Sequence, residues 1–281
     1  MKQLLIEIGH PAHVHFFKHP IRILEEQGWN VIIHAIDKAE TFELLRAEGL
    51  QFYHASRRPS AIKNATHILP VARQIYHIVK KHEIDIMSAI SGVHSSLASR
   101  LSGVPFVCFT DTEHAIEQSI FYRPTSRAIH SPRAFRKNFG KKHFKYPGYH
   151  ELSYLHPNRF KPDQSFIEDT GVLDNGPPIL LRMVDWSASH DFGVAHEEWE
   201  RDFVKNMMNE YRVLISVEGK IPRGLEKYRN PLPACRLHDL LAFCRVYVGA
   251  GATTASESAM LGTPAVYTNP LKLGYIQELE T

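Results

Sequence analysis

Apolar and polar positions along this chain switch repeatedly between the period of a strand and the period of a helix. Lys2–Ile8 is an apolar run rich in Leu and Ile, as a buried strand would be, and Gly9-His10-Pro11-Ala12 breaks it. A helical pattern then runs from about His13 to Gln27, with Gly28 where a terminator belongs. Pro20 falls inside that pattern and predicts a kink or a late start. The alternation continues through strands at Asn30–Ile36, Gln51–His54, Ile84–Ile90 and Pro105–Phe109. Helices are predicted at Ala39–Glu48, Ala61–His82 (with a break at Pro70) and Val93–Leu101. Strict strand–helix alternation predicts an α/β lobe with a parallel sheet over residues 1–156. Residues 157–178 hold four prolines, two glycines and four acids, the composition of a linker.

The same pattern restarts after it, over residues 179–281. Strands are predicted at Ile179–Val184, Val213–Val217, Val246–Gly249 and Pro264–Tyr267, and helices at His196–Asn209, Leu237–Phe243 and Thr254–Leu261. The sequence given stops at GYIQELET, which reads as the opening of a helix, so this second lobe is expected to be incomplete.

Composition narrows the class. The 281 residues suit two domains, and 43% hydrophobic with 22% charged residues excludes a disordered or fibrous chain. No stretch approaches the ~20 apolar residues of a spanning helix. Three cysteines without a CxxC pair argue against a disulfide framework or a cysteine-rich zinc site and fit a reducing cytoplasm. The net charge of +3 is unevenly spread: eight Lys and Arg and no acid lie between Gln118 and His150. Within that span Arg133–Lys145 interleaves Phe135, Phe139 and Phe144 with six cations. It reads as a solvated face, with peripheral contact to anionic lipid as the alternative. Nucleic acid is not expected as a partner, for the chain carries no nucleic-acid motif.

Candidate chemistry gathers where strands end. Gly249-Ala-Gly-Ala-Thr-Thr-Ala-Ser-Glu257 follows an apolar strand and opens a helix. Glycines admit a ligand close to the backbone, and the helix N-terminus offers unpaired N–H groups and partial positive charge. Gly251, Ala252, Thr253 and Thr254 are therefore candidates for a diphosphate, and Glu257 for two ribose hydroxyls; the alternative is a plain strand–helix turn with a favourably placed acid. The motif is neither GxGxxG nor a P-loop. In the first loop, His10 and His13 are placed as general bases at the carboxyl edge of the first strand, or else as capping and packing residues. Asp111 and Glu113 follow the strand Pro105–Phe109 and either orient a hydroxyl or cap a helix. Ser91-Gly-Val-His94 ends the preceding strand. In the second lobe, Arg182 could pair with a diphosphate, and Ser187, His190 and Glu218 follow strands that would line the same edge. A divalent-metal hydrolase built on His13/His15, Asp111/Glu113 and His190/Asp191 is a rival reading, weakened because residues two apart on a helix face different ways.

Four segments together, IEIGHPAHVHFFK, GVHSSLASRLSGVPFVCFTDTEHA, RMVDWSASHDFG and GAGATTASESAMLGTPAV, resemble the family called domain of unknown function 354. That family is similar to GT-B glycosyltransferases and to non-hydrolysing UDP-N-acetylglucosamine 2-epimerases. The resemblance implies two Rossmann-like lobes facing across a cleft, with a nucleotide sugar, UDP-sugars favoured, held mainly by the second. It implies diphosphate at Gly251 to Thr254, ribose at Glu257, and His10 and His13 toward the donor sugar. The expected function is metal-independent glycosyl transfer with no cofactor, to an acceptor that is lipid-linked or a polysaccharide. Nucleotide-sugar 2-epimerisation and a non-catalytic nucleotide-sugar binder are the alternatives alongside the hydrolase.

Overall fold

The computed structural model of the chain describes residues 1–55, 64–183, 199, 202–217 and 221–281, with backbone alone at 64–67. It divides into two units, Met1–Tyr154 with Leu273–Glu278, and Leu155–Lys272 with Leu279–Thr281.

In the first unit the strands are β1 (Gln3–Ile8), β2 (Asn30–Ala35), β3 (Tyr53–His54), β4 (Ile86–Ile90), β5 (Phe106–Phe109), β6 (Ser126–Pro132) and β7 (His143–Tyr146). They form one sheet in the order β3-β2-β1-β4-β5-β6-β7, with every neighbouring pair parallel. Helices α1 (Pro11–Glu26), α2 (Thr41–Ala47), α3 (Asn64–Lys81), α4 (Val93–Ser102) and α5 (Ile116–Thr125) make crossovers. Strand order reverses between β1 and β4, and ligands of open α/β sheets bind at the carboxyl ends flanking such a reversal. The core joins Leu5, Met87, Phe106 and Ile129 of the strands to Val71, Ile75 and Val79 of α3.

Helix α1 starts earlier than its apolar pattern, because Pro11 suits the first helical position and His10 caps it. It starts at Pro11 and continues as one helix past Pro20, so the late start expected there does not occur. An interior proline costs ~3 kcal/mol, but burying Val14, Phe17 and Ile21 contributes roughly 1.5–3 kcal/mol each, so packing wins. Helix α3 likewise continues through Pro70. Gly28 ends the α1 turn at φ 81°, as its placement predicts.

The chain passes to the second unit within α6 (Leu152–Leu155). The segment 157–178, expected as a linker, carries helix α7 (Gln164–Asp169), capped by Asp163, whose Oδ1 accepts from the Phe166 N–H at 3.0 Å. Ile167 and Val172 in this segment are fully buried, so it is part of the second unit's packing. Strands β8 (Ile179–Met183), β9 (Val213–Val217), β10 (Val246–Gly249) and β11 (Ala265–Tyr267) form a parallel sheet in the order β11-β10-β8-β9. Its helices include α8 (residues 202–207), α9 (Leu237–Phe243) and α10 (Ala252–Met260). Helix α11 (Gly274–Leu279) returns the chain to the first unit, where the Gly274 N–H donates to Glu113 Oε1 at 3.2 Å.

Candidate functional site

In the first unit, polar groups converge on the carboxyl ends of β1, β4 and β5. Glu7 lies in β1 among the buried Leu5, Ile6 and Ile8 and is itself buried. Its Oε1 is 2.5 Å from His94 Nδ1, and its Oε2 accepts the Ser95 N–H at 2.9 Å. Burial alone would push the Glu7 carboxyl up. The His94 ring, the Ser95 bond and His34 outweigh burial and hold it at about 2. The turn that delivers α4 to this carboxylate is sterically narrow. Ser91 sits at φ 49°, and a Cβ at Gly92 would lie 2.4 Å from Ala89 Cβ and 3.0 Å from Glu7 Oε2.

The two loop histidines are oriented by backbone amides. The Ala12 N–H donates to His10 Nδ1 at 3.2 Å, and the Gly9 N–H donates to His13 Nδ1 at 3.3 Å. A nitrogen that accepts cannot carry the proton, so in both rings the proton is on Nε2. Burial, with His10 adding to it, lowers His13 to about 3 against the pull of Asp111 and Glu7, although part of its side chain remains exposed.

Asp111 follows β5. Its Oδ2 lies 3.1 Å from the buried His150 Nδ1, and its Oδ1 accepts from the Thr112 hydroxyl at 2.8 Å. Burial raises Asp111, but His150, Thr112 and His13 together hold it at about 2; the same pairing raises His150 against its burial. Glu113 has a different setting: its Oε1 accepts the Arg136 and Gly274 N–H groups, each at 3.2 Å, which anchors α11. His15 is buried against Tyr154, with ring centroids 5.3 Å apart. Among the described residues no group of three or more His, Cys, Asp and Glu side chains could hold a metal ion.

In the second unit the carboxyl ends of β8, β9 and β10 bring Arg182, Ser216 and the Gly249–Gly251 turn together. Arg182 is nearly buried and its Nη1 donates to Ser216 Oγ at 2.6 Å. A Cβ at Gly249 would lie 2.7 Å from the Arg182 carbonyl oxygen, so only glycine fits there. The Tyr247 hydroxyl donates to the Gly251 carbonyl at 3.1 Å and fixes the turn. Gly251 is the N-cap of α10 and has no side chain to bond the first N–H groups, so Ala252, Thr253 and Thr254 open the helix without a side-chain cap. Glu257 lies one turn on, buried, with its Oε1 2.9 Å from His238 Nε2. Ser187, His190 and Glu218 lie outside the described residues.

The pairings of Glu7, His94, His150 and His238 are not legible in the sequence. The one signal is a carboxylate inside the apolar run LLIEI, which must find a partner to be buried at all.

Two parallel α/β units with polar groups at the carboxyl edge of each sheet place the protein in the GT-B fold class. Solved structures of that class superpose on it. UDP-GlcNAc 2-epimerase from Neisseria meningitidis, bound to UDP-GlcNAc, gives a TM-score of 0.75 at 8% identity, over 99% of this chain and 85% of that one. MurG of Acinetobacter baumannii gives 0.57 at 16% identity, over 99% and 82%. The chain belongs to the family described as protein of unknown function (DUF354), whose model matches residues 2–278. An uncharacterised protein of Methanocaldococcus jannaschii is 22% identical over 292 residues, 95% of this chain and 82% of its own length. No helix among the described residues is long and apolar enough to cross a membrane.

Proposed function

We propose that the protein is a glycosyltransferase that uses a nucleoside-diphosphate sugar, with a UDP-sugar as donor. The observation that carries this reading is the Gly249–Gly251 turn. It holds a helix N-terminus without a side-chain cap beside a nearly buried arginine: Arg182 Cδ is 3.9 Å from where a Gly251 Cβ would stand. Backbone N–H groups, the positive end of α10 and a guanidinium suit a diphosphate, both as ligand and as leaving group. Glu257 serves the ribose while keeping His238 as its partner. The Neisseria structure's bound UDP-GlcNAc makes that compound the first probe.

In the transfer step the acceptor hydroxyl attacks the anomeric carbon and the bond from that carbon to the diphosphate oxygen breaks. The electron pair leaves with the diphosphate. His10 and His13, which carry their protons on Nε2, serve as hydrogen-bond donors to the donor sugar rather than as bases. Asp111, held ionised by His150, accepts the acceptor hydroxyl's hydrogen bond and takes its proton as the new bond forms.

A thermal-shift series of the full chain with UDP-GlcNAc and with GDP-, CMP- and dTDP-sugars tests the donor site. Stabilisation by at least one nucleotide sugar is expected; no shift with any of them overturns the reading. Release of nucleoside diphosphate that depends on an added acceptor supports transfer. Formation of the 2-epimer without any acceptor would replace transfer by epimerisation at the same donor site.

A further inference from the structure

On the α5 side of the first unit, apolar and cationic residues share one exposed surface, and we infer that this surface rests on an anionic phospholipid bilayer. Helix α5 turns Ser119 and Tyr122 inward and leaves Ile116 58% and Ile120 66% exposed. Residues four apart lie on one face of a helix, so the two isoleucines stand together. Single exposed apolar residues are ordinary, whereas a neighbouring pair rimmed by charge marks a contact surface. Here the rim is cationic. An open groove of about 510 Å³ holds Ile120 in its lining together with Ser119, Arg123, Phe139, Lys141 and Lys142. The two lysines belong to the 3-10 turn Gly140–Lys142, which directly follows Phe139. All three cations are exposed, and none of them pairs with a carboxylate among the described residues. Arg123 instead lies over the Phe139 ring, 5.0 Å from its centroid. Glu117 is the one acid on α5, and it does not line the groove.

This surface is not the whole of the basic run. The crossovers β1-α1-β2 and β5-α5-β6 step in opposite directions along the sheet, so right-handed connections put α1 and α5 on opposite faces. Phe139 packs toward Tyr122 of α5, with ring centroids 5.9 Å apart. Phe144 stacks on His130, which stacks on Phe109, and Phe109 meets Phe16 and Phe17 of α1. The exposed Phe144 ring therefore belongs to the other face.

Charge and polarity together select the occupant. Lysine and arginine meet lipid phosphates at headgroup level, and isoleucines beside them reach the acyl boundary. Each such cation strengthens partitioning about 5-fold. A second copy of the chain would set like charges against each other across a two-fold axis. Nucleic acid would need an aromatic face for its bases, but Phe139 is half-buried and covered by Arg123. None of these residues serves the donor or the acceptor in the proposed transfer, so the bilayer contact stands or falls apart from that reading.

Co-sedimentation of the full chain with vesicles is the test. At low salt the chain should pellet with vesicles of mixed phosphatidylcholine and phosphatidylglycerol, and far less with phosphatidylcholine alone. Lys141→Gln combined with Lys142→Gln should lower partitioning on the order of 20-fold and weaken its response to salt. Ile116→Ser combined with Ile120→Ser should lower it on the order of 10-fold and leave the salt response in place. Phe144→Ser should change nothing. All five side chains are exposed, so each variant is expected to keep the melting temperature of the unaltered chain. Failure of the unaltered chain to bind the mixed vesicles overturns the inference. Full binding by the isoleucine variant also overturns it, since the groove would then take any polyanion, nucleic acid included. Loss of binding in Phe144→Ser as large as in the isoleucine variant would move the contact to the α1 face and overturn it as well.

Discussion

His238 Nε2 and Glu257 Oε1 lie 2.9 Å apart, and each side chain is only 5% exposed. The pair joins α9 to α10 inside the second unit, so Glu257 has a structural duty besides any contact with ribose. His238→Ala takes the imidazole from a buried carboxylate, and losing one partner of such a pair costs ~3–5 kcal/mol. His238→Gln keeps a donor and should cost less. Urea denaturation of the full chain measures both; equal stability of His238→Ala and the unaltered chain would show that the pair holds nothing. For the same reason the UDP-GlcNAc shift of Glu257→Ala must be judged against that variant's own unliganded melting temperature.

The two glycines of the β10–α10 turn are predicted to differ. A Cβ at Gly249 meets the Arg182 backbone oxygen at 2.7 Å and the Tyr247 hydroxyl at 2.8 Å, and the backbone atom has little room to move. A Cβ at Gly251 meets only the Tyr247 hydroxyl inside 3.4 Å, at 3.3 Å, which a small rotation relieves. Gly249→Ala should destabilise by roughly 1–3 kcal/mol, as overpacking does, and Gly251→Ala by less. Because the Gly251 side of the turn faces the proposed diphosphate, Gly251→Ala should still weaken the UDP-GlcNAc shift. Thermal melts with and without the nucleotide separate the two effects.

Stability is expected to fall in two stages on acidification. His13 is lowered to about 3, so an unfolded chain binds its proton first and stability declines from about pH 6.5 downward. Glu7 and Asp111 are held at about 2, below their ordinary 4.5 and 3.8. Their contribution is full above those ordinary values and is lost as pH falls toward 2, on the order of 2–4 kcal/mol for each. His150 works in the opposite sense: raised by Asp111, it adds stability below its ordinary 6.5 that disappears as pH rises through its folded value. Urea midpoints from pH 8 to pH 3 should trace this profile. Glu7→Gln should flatten the lower stage and leave the upper one; an unchanged lower stage removes Glu7 from the explanation.

Much of this architecture can be read from residue patterns because buried parallel strands are apolar throughout. Val213–Val217 and Val246–Gly249 have the same ends in the sequence reading and in the structure. The strand–helix alternation was not legible between Gln118 and His150, where α5, β6 and β7 lie. There cations interrupt the apolar period, and only scattered residues such as Tyr122, Ile129 and Phe135 are buried. Of the three phenylalanines in the basic segment, Phe135 is buried while Phe144 is 52% exposed and stacks on His130. For the site, sequence locates the strand ends but not the hydrogen-bond polarity. His10 and His13 look like bases in the string of letters. Only the backbone amides at their Nδ1 atoms make them donors, and the carboxylate that meets His94 Nδ1 is 87 residues away in the chain.

Arg182 gives the most direct test of the diphosphate site. Its guanidinium is nearly buried and donates to Ser216 Oγ at 2.6 Å, which sets its orientation before any ligand arrives. Charge-assisted hydrogen bonds of this kind are worth about 1.5–3 kcal/mol, or on the order of 10- to 100-fold in affinity. Arg182→Lys keeps the charge but loses the planar fork that fits two phosphate oxygens at once. Calorimetry should therefore show weaker binding of UDP and UDP-GlcNAc alike, because both carry the diphosphate. Uridine, which lacks phosphate, should be unaffected. Ser216→Ala should weaken UDP binding by a smaller factor, since it removes one partner of the guanidinium and leaves the guanidinium in place. If Arg182→Lys binds UDP as the unaltered chain does, the positive pole at the β8 edge is not where the diphosphate rests.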